Sequence, residues 1–261
     1  GWFRSQLRSP EGQGALTYLT GERGLSEATI DGFELGYAPE QWDGLLKHLQ
    51  QVEGLGPELL EAAGLVVPRK GGDGFYDRFR HRVMVPIKDR QGRVIGFGGR
   101  SLDGGEPKYL NSPETEVFEK GKNLFGLDRA ASAIRKDDRA VVVEGYFDVI
   151  ALHAAGITNA VAALGTALSS QQITQLCRCC ESRRLILNFD SDGAGVRAAQ
   201  RAIAHPRQQR HARPVQAHRG TRATRHLQGM TGQTKPGHIG HRMGQRAQYL
   251  GRPMGAFGHQ G

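Results

Sequence analysis

Hydrophobic positions change texture three times along the chain. Up to residue 67 they recur at helical spacing, and from Arg78 they gather in β-rich runs. From Arg139 they form short unbroken runs between helical stretches, and beyond His205 they almost vanish. In the first region "SPEGQGALTYL" puts Ser9 at a helix N-cap, Pro10 at the first helical position and an acid in the first turn. "LSEATIDGF" repeats this logic at Ser26, with Ile30 and Phe33 on one face, and "WDGLLKHL" and "GPELLEAAGLV" continue the pattern. Residues 1–67 are therefore expected to be helices joined by short turns.

The second region, "RHRVMVPIKDRQGRVIGFGGRSL", has β-rich runs at Val83–Ile87 and Val94–Phe97 on either side of a polar turn containing Gly92, which predicts a hairpin. Gly98 and Gly99 follow, and the lack of side chains there allows another backbone or a ligand to come close. Lys108, Tyr109, Lys120 and Lys122 then sit among turn-forming residues.

The third region alternates strand and helix. "AVVVEGY", "ITNAVAAL" and "RLILNFD" read as buried strands; "FDVIALHAAG", "SSQQITQLCRCCES" (capped at Ser169 or Ser170) and "GAGVRAAQRAIA" read as helices. Unalternating apolar strands with helices between them predict a parallel sheet. The fold class is α/β: an α+β N-terminal subdomain at 1–138, a parallel α/β sheet at 139–204, and a tail at 205–261. The tail holds only four Ile, Leu or Val residues in 57 and is expected to be disordered.

Charge sharpens that division. The net charge of +9 belongs wholly to the tail, which carries ten Lys and Arg, seven His and no acid, whereas residues 1–204 carry 25 bases against 26 acids. The basic excess therefore says little about nucleic-acid binding by the folded part. No apolar run is long enough to span a membrane and no charged-then-apolar leader opens the chain. The start at Gly1 in helical sequence is expected of a fragment or processed product. Cys177, Cys179 and Cys180 crowd into four residues and lack a second Cys/His pair at ligand spacing, so they read as reduced helix residues and no zinc is expected.

Two predicted strands end in acids. Glu144 closes the first, with Asp148 one helical turn on; Asp190 and Asp192 close the third, and Asp192 is the last acid of the chain although 69 residues follow it. Parallel α/β sheets bind ligands at the carboxyl ends of their strands. Residues two apart in extended chain project to the same side, so both aspartates can converge on one point. Carboxylates around an open space suit Mg²⁺ or Mn²⁺, and two such ions about 4 Å apart clamp the attacking and leaving oxygens of a nucleotidyl transfer. An EF-hand reading fails, because the fifth and twelfth positions are Ala194 and Arg201. A dehalogenase-type phosphatase motif would need threonine where Ala194 stands. The bland alternative is two helix-capping aspartates.

"EGYFD" followed about 45 residues later by "DSDGAG" across strand–helix–strand–helix–strand resembles the Toprim domain of primases, topoisomerases and some nucleases. "GLSEATIDGFELGYAP", "RFRHRVMVPIKDRQGRVIGFGGR", "PKYLNSPET", "VFEKGKNLFGLDRA", "VVVEGYFDVIAL" and "ALGTAL" resemble the bacterial DnaG-type DNA primase in order and spacing, across residues 1–204. The resemblance implies the RNA-polymerase core of a primase truncated at both ends, with a Toprim domain. Its activity would be template-directed synthesis of short RNA primers from ribonucleoside triphosphates on single-stranded DNA. By motif position Glu144 resembles the catalytic acid and a metal ligand. Asp148, Asp190 and Asp192 resemble further ligands for Mg²⁺ or Mn²⁺. Arg23, Arg100, Lys108, Tyr109, Lys120 and Lys122 resemble the surface that receives template and nucleotide. The family's partners are single-stranded DNA, ribonucleoside triphosphates and, in the full-length protein, a replicative helicase, whose binding domain is expected to be absent from these residues. A monomer in the bacterial cytoplasm, with no membrane contact, is expected. A Toprim-type nuclease and a single-strand-binding remnant are the alternatives.

The family also implies a fourth strand and a further acidic motif after the third helix. The acids stop instead, and Arg, Gly, His and Gln dominate. A reading-frame shift near Ala204 is the expectation, which would leave the metal site incomplete and the chain inactive.

Overall fold

The computed structural model describes residues 1–165, 168–189 and 216–219. The N-terminal helices are short: α1 (Trp2–Leu7), a 3₁₀ turn (Pro10–Gly12), α2 (Gln13–Thr17), a π-helical turn (Tyr18–Glu22) and α3 (Glu27–Gly32). Ser26 caps α3 as expected, accepting from the Thr29 amide at 3.2 Å. Ser9 does not cap; its hydroxyl donates to the Gln6 carbonyl at 2.8 Å. Residues 1–67 are not wholly helical either. β1 (Gly36–Ala38) precedes α4 (Gly44–Glu53) and α5 (Pro57–Ala62), and β2 (Val66–Pro68) pairs antiparallel with β3 (Phe75–Asp77).

The predicted hairpin is present as β4 (Arg82–Lys88) and β5 (Val94–Ser101). Its turn is closed by Asp89, whose carboxylate accepts the amides of Gln91 (2.9 Å) and Arg93 (3.0 Å). With β6 (Tyr109–Asn111) the antiparallel sheet runs β1-β4-β5-β6. The glycine pair does not open this sheet to a ligand. A β-carbon at Gly98 would lie 2.7 Å from the ring of Tyr146, and one at Gly99 would lie 2.9 Å from the Arg82 side chain. The space belongs to the fold's own residues.

α6 (Leu127–Asp137), which the hydrophobic pattern did not reveal, leads into β7 (Arg139–Val143). α7 (Tyr146–Ala154), β8 (Ala160–Ala162), α8 (Ser170–Cys179) and β9 (Arg184–Phe189) follow in the expected order. Ser169 is the cap of α8, exchanging hydrogen bonds with Gln172. The parallel sheet is ordered β10-β9-β7-β8, with β10 (Gln216–Arg219) alongside β9. The sheet thus continues past residue 204, inside the range expected to be a tail; the rest of 205–261 and the predicted third helix lie outside the described residues.

One hydrophobic core joins the two sheets. Val83, Val85 and Ile87 of β4 pack in the same cluster as Val143, Phe147, Val149 and Ile150 around the β7–α7 junction. A second cluster lies within the parallel sheet and includes Cys179 and Cys180. All three cysteines are free, and burial raises the Cys180 thiol to about 11, so it stays protonated.

Candidate nucleic-acid and metal site

From β7 the chain crosses to β8 on one side and returns to β9 on the other, so the strand order reverses between β7 and β9. Such a switch point opens a crevice at the carboxyl ends of the strands. Glu144 stands there, directly after β7, and is exposed. Asp148 is half-buried in the first turn of α7, and one of its carboxylate oxygens accepts the Gly145 amide at 3.1 Å. Part of its role is therefore to cap the helix, where a carboxylate also meets the positive end of the helix dipole. β9 ends at Phe189, and Asp190 and Asp192, next in sequence, lie outside the described residues. No cluster of three or more metal-ligating side chains occurs among the described residues. The donors present at this edge are nonetheless carboxylate oxygens, one of them open to solvent, which fits a hard divalent cation.

The basic residues divide into groups. Arg100 in β5 pairs across the ladder with Tyr109 in β6, and its guanidinium carbon lies 5.4 Å from the Tyr109 ring centre. Arg23 lies 4.5 Å from the ring of Phe147, the residue before Asp148. Both arginines donate through Nε to the hydroxyl of Tyr18, at 2.6 Å from Arg23 and 3.0 Å from Arg100. The structure therefore brings Arg23, Arg100 and Tyr109 together beside the first turn of α7. The electrostatics agree. Burial raises the Tyr109 phenol, the positive field of Arg23 and Arg100 opposes that rise, and the negative field of Asp148 adds to it. Even so, Tyr109 keeps 42% of its surface exposed, enough for a ring to be stacked upon.

Lys108 precedes Tyr109 and is exposed. Lys120 is half-buried on a loop fixed through its backbone: its amide donates to the Glu114 carboxylate, and its carbonyl accepts from the Gln172 amide at 2.8 Å. The other amide hydrogen of Gln172 reaches the Asn123 carbonyl at 2.7 Å. Lys122 points elsewhere. Its ammonium meets Glu119 at 2.5 Å, and it lines a surface cleft with Ser170, Gln171, Thr174, Gln175 and Arg178 of α8.

Three contributors escape a reading of local sequence. Tyr18 joins the two arginines. Asn111 ties β6 to the parallel sheet by accepting from the Tyr146 hydroxyl and donating to the Leu164 carbonyl at 3.2 Å. Gln172 holds the Lys120 loop from 49 to 52 residues away. The available signals were faint: an asparagine inside a strand run, and a glutamine three residues after a capping serine.

The family model for the DNA primase catalytic core, N-terminal domain, matches residues 2–131, and the Toprim domain model matches residues 138–219. A DNA primase from Synechococcus elongatus is 62% identical over 202 residues, which is 77% of this chain and 29% of that protein. The solved DnaG primase catalytic domain bound to single-stranded DNA has a TM-score of 0.75 at 37% identity, covering 95% of this chain and 74% of that one. The RNA polymerase domain of Mycobacterium tuberculosis primase DnaG, solved with a double-stranded DNA oligomer bearing an overhang, gives 0.70 at 43% identity, covering 77% and 64%. This chain spans about three tenths of the length of the curated relatives it matches.

Proposed function

The chain belongs to the family of DnaG-type DNA primase catalytic cores, and on that premise we propose that it is the template- and nucleotide-binding part of a primer-synthesising RNA polymerase. The observation that carries this reading is the meeting of two surfaces from distant sequence. Arg23, Arg100 and Tyr109 of the N-terminal half stand beside Asp148, on the helix that follows the acid-bearing strand end.

Arg23 and Arg100 neutralise phosphates of the single-stranded template or of a ribonucleoside triphosphate, and Tyr109 offers its exposed ring to an unpaired base. Lys108 and Lys120 extend the positive surface, whereas Lys122 is engaged by Glu119 in the cleft beside α8. Glu144 and Asp148, joined by Asp190 and Asp192, would hold Mg²⁺ or Mn²⁺. A divalent pair in that place supplies charge stabilisation for the attacking 3′-oxygen and the departing pyrophosphate. Glu144, exposed at the strand end, serves either as one of these ligands or as acceptor of the proton of the attacking hydroxyl. Phe147 and Tyr146, buried behind the acids, keep α7 fixed against the core while the exposed side binds.

No acid follows Asp192, so the chain lacks the further acidic motif that the family places there. We therefore propose that binding survives in this chain and synthesis does not. Incubation with single-stranded DNA, ribonucleotides and Mg²⁺ tests this: the expected result is a shifted DNA without new RNA. RNA product would overturn the incompleteness, shortened DNA would replace synthesis with a nuclease activity, and no shift would overturn the binding site.

A further inference from the structure

Two guanidiniums donate to one phenolic oxygen at this site. The Nε atoms of Arg23 and Arg100 lie 2.6 and 3.0 Å from the Tyr18 hydroxyl. Neither arginine is paired with a carboxylate among the described residues. Arg100 spends one terminal nitrogen on the Ser101 carbonyl at 3.1 Å. Its other terminal nitrogen, and both of those on Arg23, meet no protein acceptor among the described residues. Two like charges drawn to one neutral oxygen, with their forks left over, favour an anion between them. A phenol has lone pairs for both donors and keeps its own O–H, which none of the described residues accepts.

The backbone makes this arrangement possible. Tyr18–Glu22 is a π-helical turn, closed by the Arg23 amide donating to the Tyr18 carbonyl at 3.0 Å. In an α-helix, residues five apart point roughly 140° away from each other. The wider i→i+5 turn brings them toward the same side, and such turns occur often at functional sites. Here it lays Arg23 beside Tyr18, with the guanidinium carbon 4.5 Å from the Phe147 ring centre.

We propose that Tyr18 is a positioning residue: its hydroxyl locks Arg23 and Arg100 into one fork that grips a phosphate-class anion, either a template phosphodiester or a nucleotide triphosphate. This rests on the proposed function, since it takes the two arginines as phosphate ligands. Removing the Tyr18 hydroxyl leaves the charges in place and loosens their geometry, so affinity falls while net charge does not change.

The test uses the whole chain and two probes, a labelled oligothymidylate and inorganic tripolyphosphate, with Tyr18→Phe, Arg23→Ala, Arg100→Ala and the double alanine variant. Tyr18→Phe is expected to weaken at least one probe about tenfold, and the probe affected identifies the source of the anion. Its effect should disappear in the double alanine background, because Tyr18 acts only through the arginines. Arg23→Lys, which keeps the charge but loses the fork, should weaken binding about as much as Tyr18→Phe. A Tyr18→Phe effect that persists without the arginines overturns the positioning role. So does a Tyr18→Phe chain that binds both probes normally while the alanine variants lose them. If the alanine variants also bind both probes normally, the binding site under the proposed function fails as well, and the two failures are distinguishable.

Discussion

The ring of Tyr146 fills the space that a side chain at Gly98 would need. A β-carbon added at residue 98 would sit 2.7 Å from two ring atoms, closer than real contacts allow. Gly98 belongs to the antiparallel sheet and Tyr146 begins the helix that follows Glu144, so this contact docks one half of the site on the other. Gly98→Ala should cost about 1–3 kcal/mol of stability by overpacking, read from urea denaturation. Gly14→Ala, at a helical position with open space around it, should be neutral or slightly stabilising. Equal stability of the two variants would refute the docking role of Tyr146.

Gln172 is fully buried, and its side chain makes three hydrogen bonds, two of them to carbonyls of the loop that carries Lys120. Gln172→Ala leaves both carbonyls without that partner, and a loss of about 2–4 kcal/mol is expected. Amide hydrogen exchange around residues 120–123 should quicken as well. Unchanged exchange would show that the loop is held by something else.

Asp77 is buried and accepts the amides of Leu45 at 2.7 Å and Leu46 at 2.9 Å, at the start of α4. Burial nonetheless dominates and raises its carboxyl to about 6 from an ordinary 3.8. The folded state therefore keeps this proton to higher pH than the unfolded state does. The Asp77 contribution to stability falls as pH rises from about 4 to about 6 and is flat above, by on the order of 2–3 kcal/mol. Asp77→Asn removes that slope. The stability difference between wild type and variant should shift in the variant's favour across the window, measured by denaturation at successive pH values. A constant difference would count against a raised carboxyl.

Glu144 is exposed, so Glu144→Gln should leave stability within about 0.5 kcal/mol. Loss of one ligand charge should weaken Mn²⁺ binding by at least about tenfold, followed by titration of the free ion's paramagnetic signal. Unaltered Mn²⁺ affinity would remove Glu144 from the metal set.

The sequence carried the parallel sheet and the β4–β5 hairpin plainly, because their periods of burial differ and each run is bounded by turn residues. It also placed Glu144 at a strand end, since that follows from where the apolar run stops. β1 and β2 were hidden: strands of three residues beside helical sequence are too short to show a period. β10, "QAHR", has no apolar alternation at all, and only its pairing with β9 defines it. Arg23, Arg100 and Tyr109 emerged through family resemblance, and their convergence through the structure. Tyr18 could not emerge from either local pattern or charge, because its role depends on a π turn and on an arginine 82 residues away.

In the proposed site Arg23 and Arg100 together bind one phosphate-class anion, of a single strand or of a nucleotide triphosphate. The most direct test plots the logarithm of the association constant for oligothymidylate against the logarithm of salt concentration, for the chain and for its Arg23→Ala/Arg100→Ala variant. Each phosphate contact on single strands contributes a slope of about −0.7. For a template phosphodiester held by the fork the double variant should bind more weakly, with a slope shallower by about 0.7; unchanged slope and affinity for oligothymidylate together with unchanged affinity for tripolyphosphate would contradict the shared anion site.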